Sequence, residues 1–222
     1  MLNKKCVNEK LLRECLLSLD IHLQDGALAQ LVKYTGEIEM FNPALKLVKA
    51  SGDDLIIRHI IDSLSPYHIF EKMIAENPTA TFCDVGSGPG LPGIPLAIAF
   101  PQQHFTFIER MTRRVDFLET ELAVLGLHDR VTIVPRDLKD VDNVYDIVTF
   151  RAFHPLFDIL DDINTITDQR SSVCAYKAKE ESISEEMKIV AQKCSSRWKW
   201  NVEELFVPHL DAERRMCILK KD

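Results

Sequence analysis

The amino-acid sequence predicts an α/β fold with a mostly parallel sheet that helices cover on both faces. Three observations lead to this prediction. From residue 79 onward, short β-type runs alternate with helix-length runs, as in sheets built from helical crossovers. A glycine-rich segment at 86–93 joins the first of these strands to an apolar run. Only residues 208–212 separate the last two strand candidates, too few for a parallel crossover, so an antiparallel hairpin is expected.

Residues 1–78 are expected to form an N-terminal helical cap that packs on a core made of residues 79–222. Apolar side chains at helical spacing predict three helices in this cap, over residues 7–20, 26–41 and 53–75. Two aspartates, Asp53 and Asp54, favour the first turn of the third helix through the helix dipole, and Asn77-Pro78 ends it.

The core is expected to hold seven strands, at residues 81–85, 104–109, 130–134, 145–150, 171–177, 200–207 and 214–220. Helix-like runs accompany them at residues 91–100, 113–125, 138–143, 156–167 and 180–194. Seven strands that end in a hairpin are the arrangement of the S-adenosylmethionine-dependent methyltransferases. The sequence therefore predicts their Rossmann-like sheet with an antiparallel last strand, in one compact unit.

Composition argues against several classes of protein. No apolar run approaches the ~20 residues that a membrane-spanning helix needs, and no signal peptide is recognisable. The six cysteines form no C-x-x-C pair, and the seven histidines lack metal-ligand spacing. We therefore expect a cytoplasmic protein with reduced thiols, no membrane segment and no bound metal. A monomer is expected because nothing indicates a coiled coil.

The loop at residues 84–93 is the strongest indication of a ligand site, because glycines let the backbone approach a nucleotide-like ligand. Its glycines fit two patterns, the dinucleotide fingerprint G-x-G-x-x-G (Gly88, Gly90, Gly93) and the methyltransferase pattern G-x-G-x-G (Gly86, Gly88, Gly90). Pro89 and Pro92 remove two N–H donors that a pyrophosphate would need. The loop therefore favours S-adenosylmethionine, which carries no phosphate, over a nicotinamide cofactor.

Residues after the second and third strands extend this site. Glu109 ends the second strand, about twenty residues beyond the loop, where a carboxylate can accept hydrogen bonds from ribose hydroxyls. After the third strand, Leu138 and Lys139 lie where such folds hold the adenine, and Leu138 is the better candidate for packing on the ring.

The segment after the fourth strand bears on the methyl acceptor. Amino-methylating enzymes often carry Asp or Asn followed by Pro-Pro and an aromatic residue, whereas this chain has Phe150-Arg151-Ala152-Phe153. None of its cysteines follows a proline as a cytosine-C5 nucleophile would. An acceptor that needs no general base, such as guanine N7, fits both observations, and catalysis would then depend on positioning and electrostatics.

Other classes of function remain open at this point. The same fold is compatible with a methyltransferase acting on another RNA, a small molecule or a protein. A non-catalytic module that senses S-adenosylmethionine is a second alternative, and a nicotinamide-dependent oxidoreductase is a third.

Several blocks, in order along the chain, resemble the glucose-inhibited division protein B family, bacterial 16S rRNA guanine-N7 methyltransferases. The resemblance runs from Phe41 to Lys220, and its most specific block is residues 84–101. Shorter blocks match at residues 58–64, 113–118, 151–153 and 207–214. The resemblance implies S-adenosylmethionine-dependent N7-methylation of the guanine at position 527, in the decoding-region loop of 16S rRNA, with the small ribosomal subunit as partner.

The resemblance also implies roles for individual residues. Donor contacts are implied for Asp84, Gly86, Gly88, Gly90, Leu91, Glu109, Leu138, Lys139 and Arg151. The catalytic group would be Arg151 with His59 and Lys177, and Arg58, Asp62 and Ser63 would line the site from the cap.

The net charge of −7 argues against RNA binding by bulk electrostatics, but it allows a local basic face. The residues expected to contact rRNA are Arg58, Arg110, Arg113, Arg114, Arg214 and Arg215. An unpaired guanine is expected to stack on Phe153.

Two positions depart from the family pattern. Lys46-Leu47-Val48 replaces the usual Asn-Leu-Thr, and Ala178 replaces the glycine that usually follows the lysine of strand five. The first of these loops borders the active site in the family, so the acceptor contacts are expected to differ in detail while the donor site is unaffected.

Overall fold

The computed structural model describes residues 7–222. The first six residues of the predicted cap, Cys6 among them, lie outside the described part. The helices are α1 (Glu9–Ser18), α2 (Ala27–Leu45), α3 (Asp53–Leu55), α4 (Asp62–Leu64), α5 (Tyr67–Glu76), α6 (Gly93–Ala99), α7 (Thr112–Leu125), α8 (Leu156–Thr165) and α9 (Glu180–Lys193). The strands are β1 (Thr81–Val85), β2 (His104–Ile108), β3 (Val131–Val134), β4 (Ile147–Arg151), β5 (Ser172–Lys177), β6 (Trp198–Glu204) and β7 (Arg215–Lys221).

All seven strands form one sheet in the order β3-β2-β1-β4-β5-β7-β6. The first five run parallel, and β7 lies antiparallel between β5 and β6. The predicted seven-stranded α/β sheet with an antiparallel last strand is therefore confirmed. The strand order reverses between β1 and β4, and a ligand site in such sheets lies beyond the carboxyl ends of the strands at this point.

Helices cover both faces of the sheet. One cluster of buried apolar side chains is continuous from α1 and α2 through α6 and α7 to one face. A second cluster lies under α8 and α9 on the other face. Because both faces are covered, the central strands are buried at nearly every position, as in β4, where the first four of five residues are buried.

The prediction of a single helix over residues 53–75 is wrong. After α3 the chain forms a π-helical turn (Ile56–Ile61), continues as α4, and then begins a new helix at Tyr67. Pro66 separates the two parts, because it has no N–H to continue the ladder and its carbonyl instead accepts the N–H groups of Ile69 and Phe70.

Three further boundaries differ from the prediction by three residues or more. The second helix, predicted over 26–41, extends to Leu45. The acidic stretch at 138–143 forms only a 3₁₀ turn (Leu138–Asp140), and the penultimate strand ends at Glu204 instead of residue 207. Beyond Glu204 one more backbone hydrogen bond joins Leu205 to Arg214, after which Val207 and Pro208 are buried in the turn.

None of the helices in residues 7–222 combines the length and apolar character needed to cross a membrane. Within the same residues, His, Cys, Asp and Glu side chains do not converge into groups that could hold a metal ion.

Helix α2 of the leading segment binds the end of α7 through side chains. Gln30 Nε2 and Lys33 Nζ each donate to a last-turn carbonyl of α7, those of Leu125 and Val124, at 2.7 Å. These contacts satisfy carbonyls that a helix end leaves without an intrahelical partner.

Glu121 of α7 is buried near α2 with 0% exposure, and neither carboxylate oxygen has a hydrogen-bond partner among the described residues. Burial raises its pKa to about 8, the charge of Glu37 adds to the rise, and Lys33 opposes it. The folded protein therefore holds Glu121 protonated at neutral pH.

We predict that Glu121→Gln flattens the pH dependence of stability. A pKa raised in the folded state means that stability is present at low pH and is lost as pH rises towards 8. Chemical denaturation gives the unfolding free energy at pH 5 and at pH 8.5. Between these two pH values, the variant should lose about 1–3 kcal/mol less unfolding free energy than the parent. The exposed Glu119→Gln on the same helix should behave like the parent; equal curves for all three proteins would contradict the prediction.

Candidate active site

Asp84 supports the loop between β1 and α6 from inside the sheet. Its Oδ2 accepts the N–H of Gly93 at 3.0 Å, and Thr149 Oγ1 of β4 donates to Oδ1 at 3.4 Å. Burial raises the pKa of Asp84 to about 7, although these hydrogen bonds lower it. The carboxyl group therefore lies behind the loop and fixes its path at the start of α6.

Three glycines of the loop, Gly86, Gly88 and Gly90, have positive φ, and the first two have different surroundings. A Cβ at Gly86 (φ +65°) would lie 2.2 Å from the ring of Phe153, so this ring packs directly on the loop backbone. A Cβ at Gly88 (φ +58°) would meet no atom nearer than 3.9 Å. The face of the loop at Gly88 is therefore open to a ligand.

Glu109 lies at the side of the loop. Its Oε2 accepts the N–H of Gly88 at 2.9 Å, and its Oε1 accepts the N–H of Met111 at 2.8 Å. Arg114 Nη1 is 3.5 Å from Oε2. Although the side chain is only 3% exposed, each carboxylate oxygen can accept a further hydrogen bond.

The end of β3 adds an apolar wall. Leu138 is buried and begins the 3₁₀ turn after β3, whereas the neighbouring Lys139 is exposed. The carboxyl ends of the first three strands therefore present open glycine backbone, a carboxylate and an apolar side chain at one edge of the sheet. This combination suits the ribose and base of a nucleoside.

The leading helices also hold the loop. The hydroxyl of Tyr34 in α2 donates to the carbonyl of Pro89 at 2.8 Å, and the tyrosine is fully buried. Leu91, at the end of the loop, is buried as well. The loop is thus also held by a residue fifty-five positions earlier in the chain.

A cluster of charged side chains lies where α4 meets the sheet. Asp62 Oδ2 accepts from Arg151 Nη1 at 2.8 Å, and Asp62 Oδ1 accepts from Arg214 Nε at 2.7 Å. The side chain of Asp62 is 5% exposed. Two cations share one anion, so one positive charge remains uncompensated beside the glycine loop.

The π-helical turn supplies more acceptors to Arg151. Its Nη1 lies 3.5 Å from the carbonyl oxygen of Arg58 and 3.4 Å from that of His59. On the neighbouring strand, the hydroxyl of Tyr176 donates to the carbonyl of Ser63 at 2.7 Å. Isolated π turns within helices occur frequently at functional sites, and here the turn places backbone oxygens against the end of β4.

His59 is a neutral side chain in this cluster. Burial, as the largest cause, and the charge of Arg151 together lower its pKa to about 4, although the charge of Asp62 opposes the shift. Its Nδ1 lies 3.2 Å from Arg151 Nη2, which can only donate. His59 therefore accepts at Nδ1 and carries its proton on Nε2.

Lys177 lies outside this cluster. At the end of β5, its Nζ donates to Glu186 Oε1 and Oε2 of α9 at 2.9 and 2.7 Å. Glu186 Oε2 also accepts the N–H of Leu156, at the start of α8, at 2.6 Å. The structure therefore separates the three residues predicted to form the catalytic group: Arg151 and His59 are in contact, and Lys177 lines a neighbouring cavity beside Phe153.

The arginines predicted to contact RNA have different surroundings. Arg113 is exposed, and Arg58 and Arg110 are in exposed pairs with Asp54 and Asp137. Arg114 is half-buried beside Glu109. Arg214 binds Asp62, and Arg215 lies 3.8 Å from Glu180 and 3.4 Å from Glu204. The two C-terminal arginines are thus paired with carboxylates within the fold, and Arg214 shares its partner Asp62 with Arg151.

Sequence reasoning missed three contributions to the site. It placed Asp62 only among the lining residues, without its bridge between two arginines, and it did not consider Tyr34 or Glu186. For Asp62 the signal was an acid inside an apolar helical run, which calls for a buried partner. Tyr34 and Glu186 lie in ordinary amphipathic helices, and no local pattern distinguishes them.

Comparison with known proteins yields a family match and close relatives. A family model described as GidB, rRNA small subunit methyltransferase G, matches residues 27–218. Ribosomal RNA small subunit methyltransferase G of Treponema denticola is 34% identical over 216 residues, which cover 85% of this chain and 84% of that protein. The protein of the same name from Klebsiella pneumoniae is 34% identical over 230 residues, covering 99% and 98%.

Solved structures resemble the fold. Ribosomal protein L11 methylase from Lactobacillus delbrueckii superimposes with a TM-score of 0.54 at 14% identity, over 73% of this chain and 77% of that chain. M. jannaschii TYW2 in complex with AdoMet gives a TM-score of 0.51 at 19% identity, over 71% and 75%. At these identities the similarity shows the Rossmann-like methyltransferase fold alone.

We predict that Asp62→Asn destabilises the protein far more than Asp54→Asn. Neutralising Asp62 leaves two largely buried guanidinium groups without their anion, which should cost about 3 kcal/mol of unfolding free energy. Asp54 pairs with Arg58 in an exposed position, so its loss should cost less than about 1 kcal/mol. Denaturant unfolding at neutral pH measures both, and similar losses for the two variants would contradict the prediction.

Proposed function

The chain belongs to the GidB family of rRNA small subunit methyltransferase G, and we propose that it methylates N7 of one guanine in 16S rRNA with S-adenosylmethionine as the donor. The proposed target is the guanine at position 527, in the decoding-region loop. The observation that carries this proposal is the open glycine loop beside a buried, permanently charged Arg151 cluster.

The donor site follows from the residues around Gly88. S-adenosylmethionine supplies an electrophilic methyl group on a sulfonium. Glu109 would accept from its ribose hydroxyls, Leu138 would pack on its adenine with Lys139 nearby, and the loop backbone at Gly86, Gly90 and Leu91 would border it. Pro89 and Pro92 have no N–H for a phosphate, which supports this donor over a dinucleotide. M. jannaschii TYW2, which has a similar fold, is described in complex with AdoMet.

The surroundings of Arg151 support an acceptor that needs no general base. Guanine N7 has a lone pair in the ring plane and no proton to lose. In the described residues, the nearby carboxyl groups of Asp62, Asp84, Glu109 and Glu186 all accept protein hydrogen bonds. His59 carries its proton on Nε2, so it can donate but not take up a proton at that atom. Positioning and electrostatics would then supply the catalysis.

Arg151 is the residue that we propose to contact the reactants. Asp62 and the π-helical carbonyls hold its guanidinium in one place, and a permanently charged group cannot act as a base. Its free N–H donors would bind the carboxylate of the donor or the O6 of the guanine. Arg214 shares Asp62 and would act as a positioning residue.

The proposed assembly is a cytoplasmic monomer acting on the small ribosomal subunit, with residues 1–78 as a helical cap on the core at 79–222. The cap would complete the site, because α2 holds the loop through Tyr34 and α4 holds Arg151 through Asp62.

The first test is to incubate the protein with labelled S-adenosylmethionine and 30S subunits from cells that lack this enzyme. N7-specific strand cleavage should then reveal one new site, at the decoding-region guanine. Naked 16S rRNA, free nucleotides and total protein serve as competing acceptors. Label on another nucleotide, or on an acceptor other than the small subunit, would overturn the assignment of the target.

A second prediction concerns the basic face. Arg113 is exposed near the donor site, so Arg113→Glu should lower kcat/KM for subunits about tenfold or more, most steeply at low salt, while donor affinity stays unchanged. Arg170→Glu is the matched control, since Arg170 is exposed before β5 at the opposite end of the sheet. If both variants match the parent, Arg113 has no part in RNA binding.

A further inference from the structure

A cavity of about 270 Å³ opens at the carboxyl ends of β4 and β5, next to the glycine loop. Its lining includes Phe153, His154, Tyr176, Lys177 and Glu186. It is smaller than the ~300–1,000 Å³ typical of sites for drug-sized ligands, so it can take one base but not a whole nucleoside cofactor.

Phe153 separates this cavity from the donor loop. The ring packs on the backbone of Gly86, and it also lines the cavity. Ala152, immediately before it, has a left-handed backbone with φ +50°, which is costly for a residue with a Cβ. The backbone at the end of β4 is therefore strained in the conformation that places the aromatic ring at this boundary.

The polar groups of the cavity form a paired donor and acceptor. Lys177 Nζ has three N–H bonds, of which two are directed at Glu186. Glu186 accepts from Lys177 and from the N–H of Leu156, which fixes the carboxylate between β5 and α8. Lys177 and Glu186 are largely buried, with side-chain exposures of 15% and 19%, yet both line the cavity.

This donor–acceptor pair is complementary to guanine. Guanine presents O6 as an acceptor, next to N1–H and N2–H₂ as donors. Adenine presents an amino group and an unprotonated N1 instead. The amino group would face the N–H donors of Lys177, and the lone pair of N1 would face the carboxylate of Glu186. A base that is turned out of its strand is commonly read by hydrogen bonds to this edge and by stacking on an aromatic side chain.

We propose that this cavity binds the target guanine, with Glu186 Oε1, which accepts only from Lys177 among the described residues, also accepting from N1–H and N2–H₂, and with the third N–H of Lys177 donating to O6. Phe153 would stack on one face of the base, which leaves the ring edge that carries N7 free to meet the donor's methyl group. In this orientation N7 lies on the far side of O6 from Glu186, away from the groups that read the base. The inference rests on the proposed function, since it names the acceptor pocket of that reaction.

The test uses 30S subunits reconstituted with guanine or with inosine at the target position. Inosine keeps N7, O6 and N1–H but lacks the 2-amino group. The parent enzyme should prefer guanine about tenfold in kcat/KM. Glu186→Gln should reduce this preference to about twofold or less, because the amide presents a donor to the base. The neighbouring Glu185→Gln, exposed on the same helix, should keep it.

Equilibrium binding of the two kinds of subunit, measured with S-adenosylhomocysteine in place of the donor, should show the same difference in Kd. A purely structural role for Glu186 would lower activity on guanine and inosine subunits equally, and that result would overturn the inference.

If Glu186→Gln does not fold, Glu186→Asp replaces it in the comparison, and the preference of the parent for guanine over inosine remains a test of the pocket. Equal methylation of both subunits by the parent would refute the pocket while the proposed function stands; no methylation of guanine subunits would refute the proposed function itself.

Discussion

The carboxylate of Asp62 is shared by two guanidinium groups, and the geometry of the site depends on this sharing. Arg151 reaches it from the end of β4 and Arg214 from the turn before β7, at 2.8 and 2.7 Å. Three segments that are far apart in the chain are thereby joined at one buried point. Burying charged groups is costly unless their remaining hydrogen-bonding capacity is satisfied. The carbonyl oxygens of the π-helical turn provide additional acceptors for the guanidinium of Arg151.

The glycine loop depends on a comparable set of distant supports. Asp84 holds it from the sheet, Glu109 holds Gly88 from the next strand, and Tyr34 holds Pro89 from the helices. A loop of glycines and prolines has few side chains of its own with which to fix a conformation. Its backbone is set by groups on rigid elements around it, which keeps the open face at Gly88 ready for a ligand without a large ordering cost.

Charge is distributed unevenly between the site and the rest of the molecule. The chain carries a net charge of −7, yet Asp62 cannot offset both Arg151 and Arg214, so their cluster keeps one excess positive charge beside the glycine loop. Bulk attraction to RNA is therefore weak, and the proposed recognition depends on shape, a few exposed arginines and the polar pair in the cavity. Glu121, buried where α2 meets α7, is neutral at pH 7 for a different reason, because burial raises its pKa to about 8.

The fold class, the loop and the acid after β2 can be predicted from the sequence, because each depends on local signals. Period-2 and period-3.6 patterns, glycine spacing and the short connection at 208–212 are all readable within a few residues. The block at 58–64 and Arg151 were also recognised, through resemblance to a family. Which charged side chains pair with one another is visible only in the folded protein. Asp62 pairs with Arg151 and Arg214. Lys177 pairs with Glu186 and not with the Arg151 cluster, and Arg215 lies close to two glutamates. These pairings form between segments up to 152 residues apart, and they depend on how helices dock on the sheet, for which no local pattern in the chain carries the information.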